Sequence, residues 1–419
     1  MELNPEELRR RRQHRKLKRQ KARRKMILRL SIAGAVLLVC IGVILGFALR
    51  PSSPSAGATE PAATAPDETQ PAETTPPPTV IHFAAAGDLN VTDRVVASGG
   101  AEYDYSQTFL DVAHILADAH LSTVNLEGNL CGAPYGSTAS APQEMMEALK
   151  AAGVDMVQLA NSYSIHRGIS GLMTTIDNVR SAGMEPLGVF KDKTEYSEKQ
   201  GFSIFEVEGI RIAVVSFTKG MDGTTLPPGN ENCVNILYSD YDSTYQKVDK
   251  TKIKQVMTAV QAQEPDITIA LLHWGSEYND TISNSQKSIT NLLQEYGADA
   301  IIGTHPHYVR EIQFDPEAGT LVAYSLGDFI GDVTRAGTEY SIILDLEITK
   351  DHATGKTSIT GYSYTPIFTL TETGKPTRVL RIREAMTAYE QGYIDAVSKE
   401  TYDAMAYALT RIEARIKGQ

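Results

Sequence analysis

Short apolar runs alternate with segments of helical periodicity from Val80 onward, and this alternation predicts the body of the molecule. Runs rich in Val, Ile and Leu predict strands at Val80–Ala86, Thr123–Leu126, Asp155–Leu159, Ile267–Leu272, Ala300–Ile302 and Leu321–Tyr324. Between them, apolar residues three and four positions apart predict helices at Ser106–Ala119, Pro142–Ala152, Ile169–Ala182 and Ser283–Tyr296. Alternating strands and helices are typical of an α/β layer fold.

Three other segments modify this prediction. The alternating stretch Phe202–Phe217 predicts a hairpin that turns at Glu208-Gly209. Tyr340–Ile348 and Thr357–Tyr364 predict antiparallel strands with solvent on one side. These strands indicate either one mixed sheet or a second sheet. The polar segment Arg378–Lys417 has helical periodicity and predicts a peripheral helical extension.

A single long apolar run lies near the N-terminus. Leu30–Leu49 contains 20 residues without a charge, between Arg29 and Arg50. A helix of this length spans about 30 Å, which is the thickness of the hydrocarbon core of a bilayer. A cleaved signal peptide is the alternative, although its apolar region is normally only about 7–15 residues long. We therefore predict a retained transmembrane helix over residues 30–49.

The distribution of charge predicts the topology of this helix. Residues 1–29 contain 13 Lys and Arg against three Glu, a net charge of +10. From residue 51 onward, 26 Lys and Arg stand against 48 Asp and Glu, a net charge of −22. The basic arm predicts a cytoplasmic N-terminus, a single-pass anchor in the cell membrane, and a main domain outside the cytoplasm. The acidic body argues against nucleic acid as a partner.

The chain is thereby divided into five predicted parts. Pro51–Thr79 holds eight prolines and almost no large apolar residues, which predicts an extended spacer. The parts are a basic cytoplasmic arm (1–29), a transmembrane helix (30–49), a linker (50–79), a globular domain (80–375) and a C-terminal helical extension (376–419). Cys131 and Cys233 would lie outside the cytoplasm, where a disulfide is permitted, but their spacing does not show whether they meet.

Polar residues follow the predicted strands at five places, and ligands bind at the carboxyl ends of strands in open α/β sheets. The residues at these places are Asp88, Glu127, Asn161, His273, and the pair His305 and His307. Taken singly, each has a structural explanation such as a helix cap, an exposed acid or a packed histidine. The His-Pro-His pair is the strongest signal, because an extended backbone points side chains two residues apart in the same direction.

Together these residues predict a site for two divalent metal ions. Imidazoles and carboxylates suit Mn, Zn or Fe, and we assign Glu127 as the bridging ligand. Two such ions about 3.5–4 Å apart hold a phosphoryl group and generate hydroxide near neutral pH.

At these residues the sequence resembles the poly-γ-glutamate capsule-biosynthesis proteins of the CapA type, a branch of the calcineurin-like metallophosphoesterases. The matching motifs occur in the family's order over about residues 80–335: Gly87-Asp88, Asn125-Leu126-Glu127, Ala160-Asn161, His273–Tyr278, Gly303–His307 and Tyr324–Ile330. The resemblance implies a four-layered α/β/β/α metallophosphoesterase-like sandwich. It also implies a membrane-anchored protein of capsule or cell-surface polymer assembly, with a membrane synthase complex as partner and an acidic polymer or a phosphoester as substrate.

The sequence departs from the family pattern where related phosphoesterases carry the histidine that protonates the leaving group. Tyr163 holds that position, and His166 holds a position that is usually an aspartate. A phenol with a pKa near 10 is poorly matched to proton transfer at pH 7, so His166 and Tyr163 are both candidates for the proton donor. Arg167 is a candidate for binding phosphate oxygens. A smaller departure is Asp328, where the family often has Asn.

Two functions of different classes follow from this pattern. The first is a two-metal phosphoesterase-like hydrolase that acts on a cell-envelope substrate. The second is a non-catalytic accessory protein that binds polymer or scaffolds a membrane synthase, which the residues at positions 163 and 166 favour. A transferase or hydrolase of γ-glutamyl amides would use the same metals and remains open.

Overall fold

The structure is a computed structural model that describes residues 76–136, 139–331, 333–372, 375–393 and 397–418. The predicted arm, transmembrane helix and most of the linker lie outside these residues. Within the described ranges, no helix combines the length and apolar character needed to span a bilayer. Thr79 already belongs to the first strand, so the described domain begins at the end of the predicted linker.

Strands and helices alternate through the first half of the described chain, as predicted. In chain order the strands are β1 (Thr79–Asn90), β2 (Leu121–Glu127), β3 (Met156–Gln158), β4 (Glu185–Leu187), β5 (Phe202–Val207), β6 (Ile210–Thr218), β7 (Ile267–His273), β8 (Ala300–Thr304), β9 (Ile312–Asp315), β10 (Thr320–Ala323), β11 (Asp328–Ile330), β12 (Tyr340–Asp351), β13 (Lys356–Leu370) and β14 (Arg378–Arg381). The helices are α1 (Asp93–Ala97), α2 (Ala113–Asp118), α3 (Gln143–Ala151), α4 (Gly168–Ser181), α5 (Lys193–Lys199), α6 (Lys250–Ala262), α7 (Asn284–Glu295), α8 (Ile382–Glu390) and α9 (Lys399–Ile416).

The strands form two mixed sheets, which resolves the choice that the sequence left open. The larger sheet has the order β14-β13-β12-β1-β2-β3-β4, and β11 also pairs with β1. In it β1 to β4 are parallel, whereas β12 to β14 are antiparallel. The smaller sheet has the order β5-β6-β7-β8-β10-β9, with parallel central strands and an antiparallel strand at each edge. The domain is therefore an α/β fold with mixed sheets.

Three buried apolar clusters show how the layers are stacked. Alternate residues of β1 belong to two different clusters, because successive side chains of a strand point to opposite faces of the sheet. Phe83 and Ala85 meet the smaller sheet, whereas Ala84 and Ala86 meet α3 and α4. A third cluster packs the outer face of the smaller sheet against α6 and α7. The order of layers is helices, larger sheet, smaller sheet, helices.

Local sequence signals explain several element boundaries. The hairpin of β5 and β6 turns at Glu208 and Gly209, which both have positive φ, as a two-residue turn of type I′ requires. The helix α7 begins with a capping box, in which the Ser283 hydroxyl accepts from the backbone of Gln286 and the Gln286 side chain accepts from the backbone of Ser283. The predicted hairpin turn and the predicted helix over Ser283–Tyr296 are confirmed.

The predicted helix Ser106–Ala119 is wrong over its first half. Only Ala113–Asp118 is helical, and the preceding residues form turns. The reason lies in the carbonyl group of Thr108, which accepts from the backbone N–H of Val379 on β14. This long-range bond replaces the helical bond to Val112, whose N–H donates instead to Phe109.

The C-terminal segment 376–419 also differs from the predicted helical extension. Its first element is β14, which adds a strand to the larger sheet, so the chain shows no boundary at residue 375. The last helix, α9, is amphipathic and partly buried, whereas the prediction was a polar, peripheral extension. It buries Met405, Ala408 and Ile412 in the cluster between the sheets. The two cysteines, Cys131 and Cys233, are both free thiols.

Candidate metal centre

The polar residues predicted from strand ends converge at one edge of the two sheets. Asp88 lies near the end of β1, Glu127 ends β2 and His273 ends β7. His305 and His307 follow β8 directly. All five side chains are buried, although each is polar or charged. Buried polar groups of this kind need partners, so their arrangement defines the site.

Close contact between two backbone segments places Asp88. A Cβ atom on Gly87 would lie 1.8 Å from the carbonyl oxygen of Gly327, so only glycine allows this approach. The backbone N–H of Asp88 donates to the same oxygen at 3.0 Å. In the strand register Asp88 is paired with Asp328 on β11 and with Asn125 on β2. The three side chains are thereby neighbours.

The imidazole and carboxylate groups form two clusters. We define the first ligand group as Glu127, His273 and His305, and the second ligand group as Asp88, His307 and Asp328. In each group, one ligand atom per residue lies within 4.8 Å of the others. The His-Pro-His segment contributes one imidazole to each group, and the ring centroids of His305 and His307 are 6.2 Å apart.

The reason given for the His-Pro-His pair is wrong, although the pair does reach the site. The backbone is not extended there, because φ is +90° at His305 and +60° at His307. Non-glycine residues seldom adopt positive φ, and such strain is commonly found at functional sites. The turn sends the two rings to different ligand groups instead of side by side.

In the first ligand group both imidazoles are neutral and the carboxylate is poorly compensated. Glu127 Oε1 lies 3.4 Å from His273 Nε2, but it has no hydrogen-bond partner among the described residues. Burial, together with the charge of Asp88, raises the pKa of Glu127 well above its usual value. Burial also lowers the pKa of His273 and of His305 well below 6.5.

The second ligand group contains its own cation. His307 Nδ1 lies 2.7 Å from Asp328 Oδ1 and 3.9 Å from Asp88 Oδ2. Burial opposes the charge of His307, but Asp328, Glu127 and Asp88 together raise its pKa well above 6.5. Burial raises the pKa of Asp328 to about 7 and also raises the pKa of Asp88. The His307–Asp328 pair therefore holds a proton at neutral pH.

Neutral side chains connect the two groups. Asn125 Nδ2 donates to Asp88 Oδ1 at 2.6 Å and lies 3.3 Å from His273 Nδ1. Thr304 Oγ1 lies 3.2 Å from His273 Nδ1. The backbone N–H of His305 donates to Asp88 Oδ2 at 2.9 Å. These bonds orient the ligands, which is the usual role of the residues around a metal site.

Asn161 lies directly behind this network. Its Nδ2 donates to the carbonyl oxygen of Leu126 at 2.6 Å and to Asn125 Oδ1 at 3.0 Å. Its Oδ1 accepts from the backbone N–H of Tyr163 at 2.9 Å. Asn161 thus supports Asn125, and its own role as a metal ligand stays a prediction.

The candidates for proton transfer and phosphate binding differ in burial and in their distance from the ligand groups. Tyr163 is half-buried, and its pKa is raised by burial and by nearby Glu127, so its phenol stays protonated. His166 is exposed, and its ring centroid lies 5.5 Å from that of Tyr163. The backbone N–H of Arg167 donates to Asn129 Oδ1. In the described ranges, the Arg167 side chain has no hydrogen bond or ion pair with either ligand group.

Three residues of the site escaped the sequence analysis as candidates. In the sequence, Asp328 stands out only as a departure from the family pattern, and Asn125 falls within a predicted strand. Lys219 follows the last residue of β6, and its Nζ lies 2.9 Å from His305 Nε2. Burial lowers its pKa, whereas Asp222 and Glu277 raise it. The strand-end rule applied to the hairpin would have pointed to Lys219.

These residues suit divalent cations. Imidazole nitrogens and carboxylate oxygens are the donors that Zn, Mn and Fe prefer in proteins. A buried carboxylate oxygen without a partner, Glu127 Oε1, is also the expected position for a cation ligand. Among the described residues, three buried carboxylates, Asp88, Glu127 and Asp328, lie near one imidazole that favours its charged form and one ammonium, that of Lys219. The arrangement therefore calls for added positive charge.

Comparison with known families and proteins gives concordant matches. The family model described as "Bacterial capsule synthesis protein PGA_cap" matches residues 82–333. The "Capsule biosynthesis protein CapA" of Bacillus anthracis is 27% identical over 219 residues, which cover 51% of this chain and 49% of that protein. The "PGA biosynthesis protein CapA" of Bacillus subtilis strain 168 is 22% identical over 290 residues, which cover 67% and 71%. The chain thus spans about half the length of the first of these relatives.

The comparison with solved structures gives matches of low TM-score. A structure described as a novel phosphatase from Mycoplasma pneumoniae is 16% identical, with a TM-score of 0.42, and the match covers 70% of this chain and 94% of that one. A calcineurin-like phosphoesterase from Bacillus subtilis is 14% identical, with a TM-score of 0.44, and the match covers 81% and 98%.

Proposed function

The chain belongs to the PGA_cap family of bacterial capsule synthesis proteins, as the resemblance of its motifs predicted, and from this premise we propose that it is a metal-dependent phosphoesterase-like hydrolase of capsule or cell-surface polymer biosynthesis. One observation carries the proposal. Two groups of buried imidazoles and carboxylates lie side by side, and the first contains a carboxylate oxygen with no partner among the described residues. Such an arrangement is costly to maintain unless cations bind to it.

The assignment of residues follows from the geometry. The ligand groups would hold two divalent cations, of Mn, Zn or Fe. When bound, these cations would supply Lewis-acid activation of a water molecule and of a phosphoryl oxygen. Asp328 accepts the Nδ1 proton of His307, which orients the ring, and Nε2 would have to lose its proton for this imidazole to bind a cation. Thr304 Oγ1 lies 3.2 Å from His273 Nδ1 and orients that ring.

Tyr163 is the better placed of the two candidate proton donors. It lies close enough to Glu127 for that carboxylate to raise its pKa, whereas His166 is exposed and packs its ring against that of Tyr163. A phenol that stays protonated donates a hydrogen bond to a leaving oxygen but transfers its proton poorly near pH 7. We therefore assign Tyr163 a role in hydrogen bonding, and His166 at most a role in relaying protons to solvent.

The test is metal analysis of the purified full chain, combined with hydrolysis of 4-nitrophenyl phosphate. We expect about two equivalents of Mn, Zn or Fe per chain, lost in the variant His273→Ala together with turnover. His352→Ala is the matched control, because His352 contacts Thr79 at the opposite end of β1. A folded chain that binds none of these metals would contradict the proposal.

The accessory function is supported by a different observation, the tyrosine at position 163. If the protein binds polymer or a synthase without hydrolysis, the metal-loaded chain will be inactive and will copurify with a membrane complex. The variant Tyr163→His distinguishes the two functions. A gain of hydrolysis with unchanged metal content would indicate that the wild-type centre serves binding, whereas a loss would assign Tyr163 to catalysis.

We further propose that the chain is anchored in the cell membrane with its main domain outside the cytoplasm. The support is the apolar run Leu30–Leu49 and the basic arm before it. Poly-γ-glutamate is the polymer that the motif resemblance suggests. Carbonate extraction and protease treatment of intact protoplasts test the anchor. A full chain released by carbonate, or one protected from external protease, would contradict this arrangement.

A further inference from the structure

Lys219 brings a positive charge into the first ligand group. Its backbone N–H donates to the carbonyl oxygen of His273 at 2.8 Å, which fixes the residue beside the end of β7. Its Nζ then lies 2.9 Å from His305 Nε2 and 3.4 Å from the carbonyl oxygen of Gly275. An anionic group bound at the first ligand group would therefore be within direct reach of this ammonium.

The ammonium of Lys219 is held by neutral partners. In the described parts of the chain, no carboxylate forms an ion pair with it within 4.0 Å. Asp222 and Glu277 act on it only from a longer distance, and its Nζ lies 4.8 Å from the centre of the Tyr245 ring. A half-buried cation without an ion-pair partner keeps its charge available to an anion.

The alternative cation at the site, Arg167, lacks this placement. Arg167 precedes the helix α4, and its backbone N–H donates to Asn129 Oδ1. Lys219, by contrast, is attached by its backbone to one residue of the first ligand group and by its side chain to another.

We propose that Lys219 is the residue of this chain that binds the phosphoryl group of the substrate at the first ligand group. The inference rests on the proposed function, because it takes the ligand groups to be the place where the phosphoryl group is held. A lysine ammonium is a compact charge with three donors, which suits the oxygens of a tetrahedral phosphoryl group. It also gives the site a preference for substrates with an ionised phosphoryl oxygen over neutral esters.

The experiment measures binding of inorganic phosphate to the manganese-loaded full chain by titration calorimetry. We expect Lys219→Met to weaken phosphate binding by roughly 10- to 100-fold, as expected for one lost charge-assisted hydrogen bond. Lys219→Arg should restore part of the loss. Lys252→Met is the matched control, because Lys252 is also half-buried above a tyrosine ring, at 4.0 Å from Tyr196. Its phosphate affinity should equal that of the wild type.

The outcomes separate this inference from the proposed function. If wild type binds manganese and phosphate and Lys219→Met binds both equally well, the inference is wrong and the proposed function stands. If Lys219→Met loses manganese, Lys219 supports the metal site and the inference is again wrong. If wild type binds neither manganese nor phosphate, both are wrong. Replacing phosphate by glutamate oligomers, which should bind no more weakly to Lys219→Met, tests whether the contact is specific for phosphoryl oxygens.

Discussion

The first ligand group contains two imidazoles and one carboxylate, whereas the second contains one imidazole and two carboxylates. Their protons are distributed in opposite ways. His273 and His305 favour the neutral form, and Glu127 Oε1 has no partner in the described residues. His307 favours the charged form and pairs with Asp328 at 2.7 Å.

This difference has a consequence for metal binding. A cation entering the first ligand group displaces no proton from its two neutral imidazoles, although Lys219 Nζ must leave the lone pair of His305 Nε2. A cation entering the second group competes with the positive charge already on His307. Metal affinity is lowered by such proton competition. The first group is therefore expected to bind the first cation, and the second group to bind more weakly and with a stronger dependence on pH.

The largest effect on activity is expected from replacing the carboxylate of the first ligand group. Glu127→Gln should lower turnover of an aryl phosphate by at least about 100-fold, because even residues that only orient a ligand contribute 10- to 100-fold. Asp328→Asn should lower it by about 10-fold or less, since the amide oxygen can still accept from His307. Metal content and steady-state kinetics of both variants provide the measurement.

Glu147→Gln, an exposed substitution on α3, is the control for these two variants. Equal losses in Glu127→Gln and Asp328→Asn would show that the two groups act as one unit, and would remove the distinction drawn between them.

An intermediate effect is expected from Asn125, which contacts both groups. Asn125→Ala removes its bond to Asp88 and its contact with His273, so manganese affinity should fall about 10- to 100-fold at each group. Asn235→Ala is the matched control, because Asn235 is also buried and its side chain donates to the backbone carbonyls of Gly201 and Ser216 rather than to either ligand group. The control should lower thermal stability without changing manganese binding. A loss confined to one group would contradict the bridging role of Asn125.

A smaller effect, of opposite sign to the loss of activity, is expected on folding stability. In metal-stripped protein, Glu127→Gln should raise the free energy of unfolding by about 1–3 kcal/mol, because it removes a buried carboxylate with an unsatisfied oxygen. Asp328→Asn should change it by less than about 1 kcal/mol near pH 6.5, since Asp328 is paired with His307. Chemical denaturation followed by circular dichroism measures both values. Destabilisation by Glu127→Gln would mean that the carboxylate has a partner in solution.

The fold could be predicted from the sequence because its signals are local. Apolar runs and helical spacing identify β1, β7, α4 and α7 within a few residues. The segment before α2 was mispredicted because a bond from Val379, about 270 residues further along the chain, competes with the helical bond at Thr108. Periodicity contains no information on a partner so distant in sequence.

The site residues could also be predicted where the signal is local, but not where it depends on contacts between distant segments. Strand ends pointed to Asp88, Glu127, His273, His305 and His307, because parallel strands bring their carboxyl ends together. Asp328 was missed as a ligand because β11 has only three residues and its pairing with β1 is not visible in the sequence. The positive φ values of His305 and His307 were also unforeseeable, since they depend on the packing around the turn.

The smallest effect concerns the pH dependence of the metal-stripped protein. Burial raises the pKa of Asp328 to about 7 in the folded chain, against about 3.9 in the unfolded chain. A group with a raised folded-state pKa stabilises the protein fully below its unfolded pKa, and this contribution is lost as the pH rises through the folded value. The pKa values of His307 and Glu127 are also raised, so these groups lower the stability as the pH rises. The lowered pKa values of His273 and His305 have the opposite effect on stability, but only below about pH 7.

The contribution of Asp328 to the stability of stripped wild type should therefore be lost between about pH 4 and 7, with a slope of at most about 1.4 kcal/mol per pH unit. Asp328→Asn should show a shallower fall, and the difference between the two proteins cancels the groups that they share. Saturating manganese should flatten the wild-type profile, because a bound cation offsets the ionised carboxylates. Parallel profiles for wild type and Asp328→Asn would show that the proton in the second ligand group is not held by the His307–Asp328 pair, and the contrast with the first group would lose its basis.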